Sequence, residues 1–179
     1  MGETVAVWSE AVKRIKRRDF TLKTVIVSTF ERVDENEVFD CLMNCPNQIT
    51  YVSFRLADLT DDAVAGFFQH LATNSTMKYL DLSNNQLTES AYLALAAALR
   101  TNTSLRELFL YGNYAMDRTR IDTAFLETLR FSPVRPAETK WWLYEIFTDD
   151  YNRIENSTLA LGPVSMLEQL READRTRKH

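Results

Sequence analysis

The sequence predicts an α/β solenoid: a right-handed coil of β-α units with a parallel sheet on its concave face, about four units long and capped at both ends. Three observations carry this reading. Met77-x-x-Leu80-x-Leu82-x-x-Asn85-x-Leu87 returns as Leu105-x-x-Leu108-x-Leu110-x-x-Asn113, with starts 28 residues apart. Two weaker copies lie upstream, Leu22-x-x-Val25-x-Val27 and Ile49-x-x-Val52-x-Phe54, which start 27 and 28 residues before their successors. Between copies, apolar residues recur at helical spacing.

Each copy is one unit. Its first six residues are a short strand with apolar side chains inward on alternate positions. Asn at the ninth position turns the chain, and its amide is suited to bonding backbone groups of neighbouring turns. Asn85 and Asn113 are therefore predicted to be buried and bonded to backbone, because a tight turn leaves polar groups that need partners. A helix then returns the chain to the next strand. Val38, Leu42 and Cys45 mark it in the first unit, and Val64, Phe67, Phe68 and Leu71 in the second, opened by Thr60 or Asp61. Thr88 is a good N-cap for the third helix, with Leu93, Leu95 or Ala96, and Leu99 on its stripe; Phe125, Leu126 and Leu129 mark the fourth. No unit buries its stripe alone, so stacking supplies the core.

The repeat resembles the leucine-rich repeat of the ribonuclease-inhibitor type. Leu80, Leu82, Asn85, Leu87, Ala91, Leu95, Ala98, Leu99 and Asn102, then Leu105, Leu108, Leu110 and Asn113, carry the likeness over roughly residues 22 to 131. A 28-residue unit with a full helix points to that subclass. Phe30 and Ala57 depart from the pattern at the turn position, and Tyr114 to Arg120 looks like an insertion. The resemblance implies a leucine-rich-repeat solenoid whose concave sheet binds other proteins. It also brings in two rival roles, GTPase activation and actin-filament capping.

Solenoids need capped ends. Residues 5 to 18 read as an amphipathic helix, with Trp8, Ala11, Val12 and Ile15 on one face and Lys13, Arg14, Lys16, Arg17 and Arg18 around them. Trp8 is expected to cover the first unit; a basic docking helix is the alternative. After Pro133 and Pro136, Trp141 to Phe147 fits either a degenerate fifth strand or a capping helix. Leu159 to Leu161 suggests an edge strand, and Pro163 to Leu170 a final helix before a charged tail. The boundaries that follow are residues 1–20 for an N-terminal capping helix, 21–131 for four repeats and 132–179 for a C-terminal cap and tail.

Composition narrows the function classes. With 179 residues, 45% of them hydrophobic, the chain can bury one sizeable core. A net charge of −4 gives no reason to expect nucleic acid or a membrane surface. No apolar run approaches the roughly 18 residues of a spanning helix, and the first residues lack a secretory core. Ala6 stands where acylation after Gly2 would need Ser or Thr. Cys41 and Cys45, four apart on one helix, suit core packing better than a disulfide or a metal site. These features predict a cytoplasmic protein. Asn74, Asn102 and Asn156 open Asn-x-Ser/Thr triplets. Asn74 and Asn102 occupy equivalent places after a helix and read as left-handed C-terminal caps.

No catalytic constellation is found. His70 and His179 are the two histidines, and no phosphate loop or nucleophile elbow occurs among only four glycines. A non-enzyme without cofactor, metal or small-molecule substrate is expected. Strand alternation instead exposes one face. Thr24, Ile26 and Ser28 point outward in the first strand; Tyr51, Ser53 and Arg55 in the second; Tyr79, Asp81 and Ser83 in the third; Glu107, Phe109 and Tyr111 in the fourth. Aromatics and Arg carry interface energy. Tyr51, Arg55, Tyr79, Asp81, Glu107, Phe109 and Tyr111 are therefore the candidate contacts for a partner protein. The expected role is a protein-interaction module acting through that face. The alternative is a subunit docked through its terminal segments, or a regulator of a GTPase or of the actin cytoskeleton.

Overall fold

The computed structural model describes residues 4–27, 39–42, 44, 49–114, 118–131 and 140–142. Six strands form one parallel sheet in chain order: β1 (Thr4–Val7), β2 (Leu22–Ile26), β3 (Tyr51–Ser53), β4 (Tyr79–Asp81), β5 (Glu107–Phe109) and β6 (Lys140–Trp142). Helices alternate with them: α1 (Trp8–Lys16), α2 (described over 39–42), α3 (Asp61–Thr73), α4 (Glu89–Leu99) and α5 (Arg118–Phe131). Helix α4 packs between α3 and α5. Parallel strands require such crossovers.

The repeat pattern becomes three buried rows across the sheet. Leu22, Ile49, Met77 and Leu105 form the first row, Val25, Val52, Leu80 and Leu108 the second, and Val27, Phe54, Leu82 and Leu110 the third. Register follows the sequence period: Tyr51 pairs with Tyr79 and Tyr79 with Glu107. Helix residues Val64, Phe67, Phe68 and Leu71, then Ala91, Leu95, Ala96 and Leu99, close the core from the other side. Phe54 stands where later units have Leu, and it packs edge-on against Phe39 and Phe67 at centroid distances of 5.4 and 5.7 Å. Burial of such contiguous apolar rows is the dominant favourable term in the fold.

Two ladders of asparagine tie the units together. Asn85 is buried; its Oδ1 accepts from the Ala57 and Leu59 amides at 3.0 and 3.1 Å. Its Nδ2 donates to the carbonyls of Phe54, Leu82 and Ser83 at 2.9, 2.9 and 3.2 Å. Asn113, half-buried, repeats this one unit on, accepting from Asn85 and Leu87 and donating to Leu82 and Leu110. Each side chain thus serves the preceding turn as well as its own. Ala57 lacks the amide, yet its N–H is satisfied by the next unit's Asn85.

The second ladder corrects the expected helix caps. Asn74 has φ −68° and ψ 130°, and neither it nor Asn102 has a positive φ. The side chains act instead. Asn74 Oδ1 accepts from Thr76 and Met77, and Asn102 Oδ1 from Ser104 and Leu105. Asn102 Nδ2 then donates back to the Leu71 and Asn74 carbonyls at 2.6 and 2.9 Å. A side chain that closes the turn itself removes the need for a left-handed backbone.

Other expectations shift locally. Residues 4–7 form edge strand β1 against β2, so the first helix begins at Trp8 rather than at residue 5. Thr4-Val5-Ala6-Val7 suits a strand, and β2 offers an unpaired edge, so pairing overrides the helical periodicity. Trp8 and Ala11 are buried, and Val12 and Ile15 pack against the core. Arg14 donates to Asp19 at 2.6 Å and to Thr21 at 2.8 Å, fixing the turn into β2. The Arg14 bond first, then those that the Thr21 hydroxyl and amide donate to Asp19, hold the Asp19 carboxyl well below the usual carboxylate range. Thr88 does cap α4, accepting from the Ser90 amide. Thr60 makes no such bond; Asp61 instead accepts from the Thr88 amide and hydroxyl in the next unit. Ala91 and Tyr92, not Leu93, are buried at the start of α4, with the Tyr92 hydroxyl donating to the Leu110 carbonyl. Of the two readings of Trp141 to Phe147, the strand is found at Trp141, opposite Leu108, and Trp142, opposite Phe109, while 143–147 lies outside the described residues. Expectations on Ser28, Phe30, Val38, Cys45, the loop at 148–157, the 159–161 strand and the 163–170 helix lie outside the described residues, as do the side chains of Leu126 and Leu129.

Candidate protein-binding surface

The outward positions fall into cross-strand rows. Thr24, Tyr51, Tyr79 and Glu107 are register partners in one, and Ile26, Ser53, Asp81 and Phe109 in the next. Parallel strands lie about 4.8 Å apart, so outward rings in neighbouring strands meet. Tyr51 and Tyr79 stack at 3.9 Å with planes 10° apart. Tyr79 meets Phe109 at 5.1 Å, and Phe109 meets Tyr111 at 6.3 Å in an edge arrangement. Four rings from three consecutive units form one continuous ladder. Each ring is half-buried by its neighbours and keeps the remainder accessible.

Burial orders the seven candidates. Tyr51, Tyr79, Glu107, Phe109 and Tyr111 are half-buried and Arg55 is exposed, so all six reach the surface. Asp81 does not. It is 6% exposed, and its Oδ1 accepts from the Ser83 amide at 2.9 Å and hydroxyl at 2.6 Å. It closes the end of its own strand. Thr24, Ser53 and Ser83 also point outward in sequence yet are buried. Short polar side chains at outward positions are thus buried among longer neighbours, which strand alternation alone does not reveal.

Electrostatics keep the ladder neutral at its centre. Desolvation first, then the hydrogen bond with Tyr51 and the nearby carboxylates of Asp81 and Glu107, push the Tyr79 phenol above its ordinary range. It stays protonated, so the face offers apolar rings with hydroxyl tips, flanked by Arg55 and Glu107. Among the described residues, no group of three or more His, Cys, Asp or Glu is placed to hold a metal ion. No described helix is long and apolar enough to cross a membrane.

Sequence reasoning missed several residues that shape this region. Tyr92 anchors β5 through Leu110, just beyond Phe109. Leu56 and Tyr114, at the strand-to-helix turns, are 52% and 65% exposed. Ser104, buried, donates to the carbonyls of Asn74 and Met77. The available signal was period: Asn74, Thr76 and Met77 recur as Asn102, Ser104 and Leu105.

Comparison with known proteins places the fold. No family model matches the chain, and no curated protein matches it either. Among solved structures, it is similar to leiomodin-1 actin-binding site 2, with TM-score 0.62 and 14% identity over 98% of this chain and 97% of that one. It is also similar to the tropomodulin C-terminal domain of Caenorhabditis elegans, with TM-score 0.66 and 16% identity over 95% and 96%. These likenesses show a shared α/β fold with a leucine-rich-repeat-like parallel sheet. They overturn the resemblance to the ribonuclease-inhibitor type: the solved structures it is similar to include leiomodin and tropomodulin domains, and no family model matches. The 28-residue unit with a full helix, on which that subclass rested, is therefore not specific to it.

Proposed function

We propose that this chain is a non-enzymatic actin-binding module of the cytoskeleton. Its stacked units form a short leucine-rich-repeat solenoid, and it binds the partner through the ring-lined sheet face. The reading prefers the actin alternative over a general interaction module or a docked subunit. The observation that carries it is the near-complete two-way overlap with leiomodin-1 actin-binding site 2: both chains are covered end to end, so the likeness is to the whole binding unit.

The surface is chemically suited to the role. Tyr51, Tyr79, Phe109 and Tyr111 supply wide, stiff contact area at low conformational entropy. Arg55 and Glu107 add charges at its margin. Neither catalysis nor a cofactor is needed for such binding. A cytoplasmic setting and a protein partner, rather than nucleic acid, small molecule or membrane, follow from the same reading.

Sedimentation of the intact chain with filamentous actin tests it. The chain is expected in the pellet in a saturable manner, and Phe109→Ala is expected to weaken pelleting by about 1–3 kcal/mol while remaining folded. A chain that stays in the supernatant at every actin concentration, and fails to retain monomeric actin, would contradict the reading.

A further inference from the structure

Leu56 breaks a local rule that the later units keep. Just past the strand, the three later units each place an equivalent residue in the left-handed region: Leu56 at φ 58°, Asn84 at φ 55° and Gly112 at φ 71°; in the second unit Asp58, at φ 55°, enters it as well. Leu56, Asn84 and Gly112 lie 28 residues apart. Gly and Asn are the residues that tolerate this conformation. At Gly112 a Cβ would stand 2.3 Å from Asn84 Oδ1, so any side chain there would have to displace the Asn84 amide. The Leu56 backbone is held in place by the next unit, its amide donating to the Ser83 carbonyl at 3.2 Å. A branched apolar side chain in this region crowds its own carbonyl, and here it gains little from burial, being 52% exposed. Folding alone would favour Asn or Gly.

Two positions on, the same rim carries Asp58, Gln86 and Tyr114 at the same sequence spacing, of which only Asp58 has a positive φ. Asp58 and Gln86 are exposed polar residues; Tyr114 is an aromatic, 65% exposed. Its amide donates to the Leu87 carbonyl at 2.8 Å, which fixes the backbone while the ring stays in solvent. Both exceptions are therefore large exposed side chains on turns whose amides bond a neighbouring unit. The rim is continuous with the surface already described, since Tyr111 lies in the turn that leads to Tyr114. Local rules are broken where function requires it, and conformational strain collects at binding sites.

We infer that the strand-to-helix rim, through Leu56 and Tyr114, is a second part of the partner surface and extends the ring ladder onto the same actin subunit. This rests on the reading of the chain as an actin-binding module. Leu56 and Tyr114 are specificity-determining contacts that stability does not select.

The test is a pair of intact-chain variants that restore the residue types of the neighbouring unit, Leu56→Asn and Tyr114→Gln, each melted and each sedimented with filamentous actin. Leu56→Asn is expected to raise Tm by about 2–4 °C, the shift that relief of a left-handed strain gives in a domain of this size. The same variant is expected to raise the Kd for actin by about fivefold or more. Tyr114→Gln is expected to melt like the parent and bind as weakly as Leu56→Asn. Parent and variants sedimenting alike would overturn the rim while leaving the actin reading intact. A Leu56→Asn chain that melts lower would overturn the strain argument on which the rim rests. A parent chain that fails to sediment would overturn the actin reading and the rim together.

Discussion

Two ladders run across the same sheet with the same period, and they differ in how completely the chain satisfies them. The asparagine ladder is closed: Asn85 makes five hydrogen bonds to backbone, two as acceptor and three as donor. The ring ladder is open: Tyr51, Tyr79, Phe109 and Tyr111 touch one another side to side and leave part of every ring accessible. One repeat length thus builds a scaffold from polar groups with every partner inside the chain, and a surface from rings whose partners are only partly supplied. A buried amide left without partners costs far more than a half-exposed ring. The ladders are therefore separable by mutation.

The largest effect expected is at Asn85. Replacing it by Ala orphans the Ala57 and Leu59 amides and removes the amino group shared among three carbonyls, a loss of about 3 kcal/mol or more. Asn113→Ala, half-exposed and with four such bonds, is expected to lose about 2 kcal/mol. Chemical denaturation of both variants measures the gap, and equal losses would break the idea that the buried rung contributes more than the half-buried one. Next is Tyr92→Phe. It keeps the ring and removes the donor to Leu110, with an expected loss of about 1–2 kcal/mol. A variant as stable as the parent would mean the phenol contributes only its packing.

The ring ladder is expected to respond less in stability. Tyr79→Ala removes a stacked and a tilted ring contact, and a loss of about 1 kcal/mol is expected in melting experiments. A loss as large as that of Asn85→Ala would make the ring face part of the core.

The smallest effect concerns pH. Burial lowers the pKa of His70 below its ordinary 6.5, so the folded chain binds fewer protons than the unfolded one there. The corresponding stability is complete above about pH 6.5 and declines as pH falls through that value. His70→Gln should flatten this part of the stability profile between about pH 7 and 5. Identical profiles for parent and variant would remove His70 from the account.

Much of the scaffold was legible because it is built from a strict pattern. Every inward strand position from Leu22 to Leu110 is apolar, so the rows follow from spacing alone. Asn85 and Asn113 were legible for the same reason. Strand β1 was not, because Thr4 to Val7 runs into a helical stripe and only pairing with β2 distinguishes them. The Asn74 and Asn102 turns were placed correctly but given the wrong backbone, since either a left-handed residue or a side-chain acceptor can close such a turn. On the candidate surface, the ring positions followed from alternation. The burial of Asp81 and Ser83 did not, because alternation says which face a side chain takes and not that two short side chains bond each other at the strand end. Leu56 could not be read as left-handed at all, since its residue type argues against that conformation.

The most direct test of the two-ladder account is a crossed measurement on Asn85→Ala and Phe109→Ala. Each is melted and each is titrated against filamentous actin at a temperature where both are folded. The account predicts opposite phenotypes: Asn85→Ala melts far lower and binds like the parent, while Phe109→Ala melts close to the parent and binds about five- to a hundredfold more weakly. Parallel losses of stability and binding in both variants would contradict it, because scaffold and surface would then be one structure.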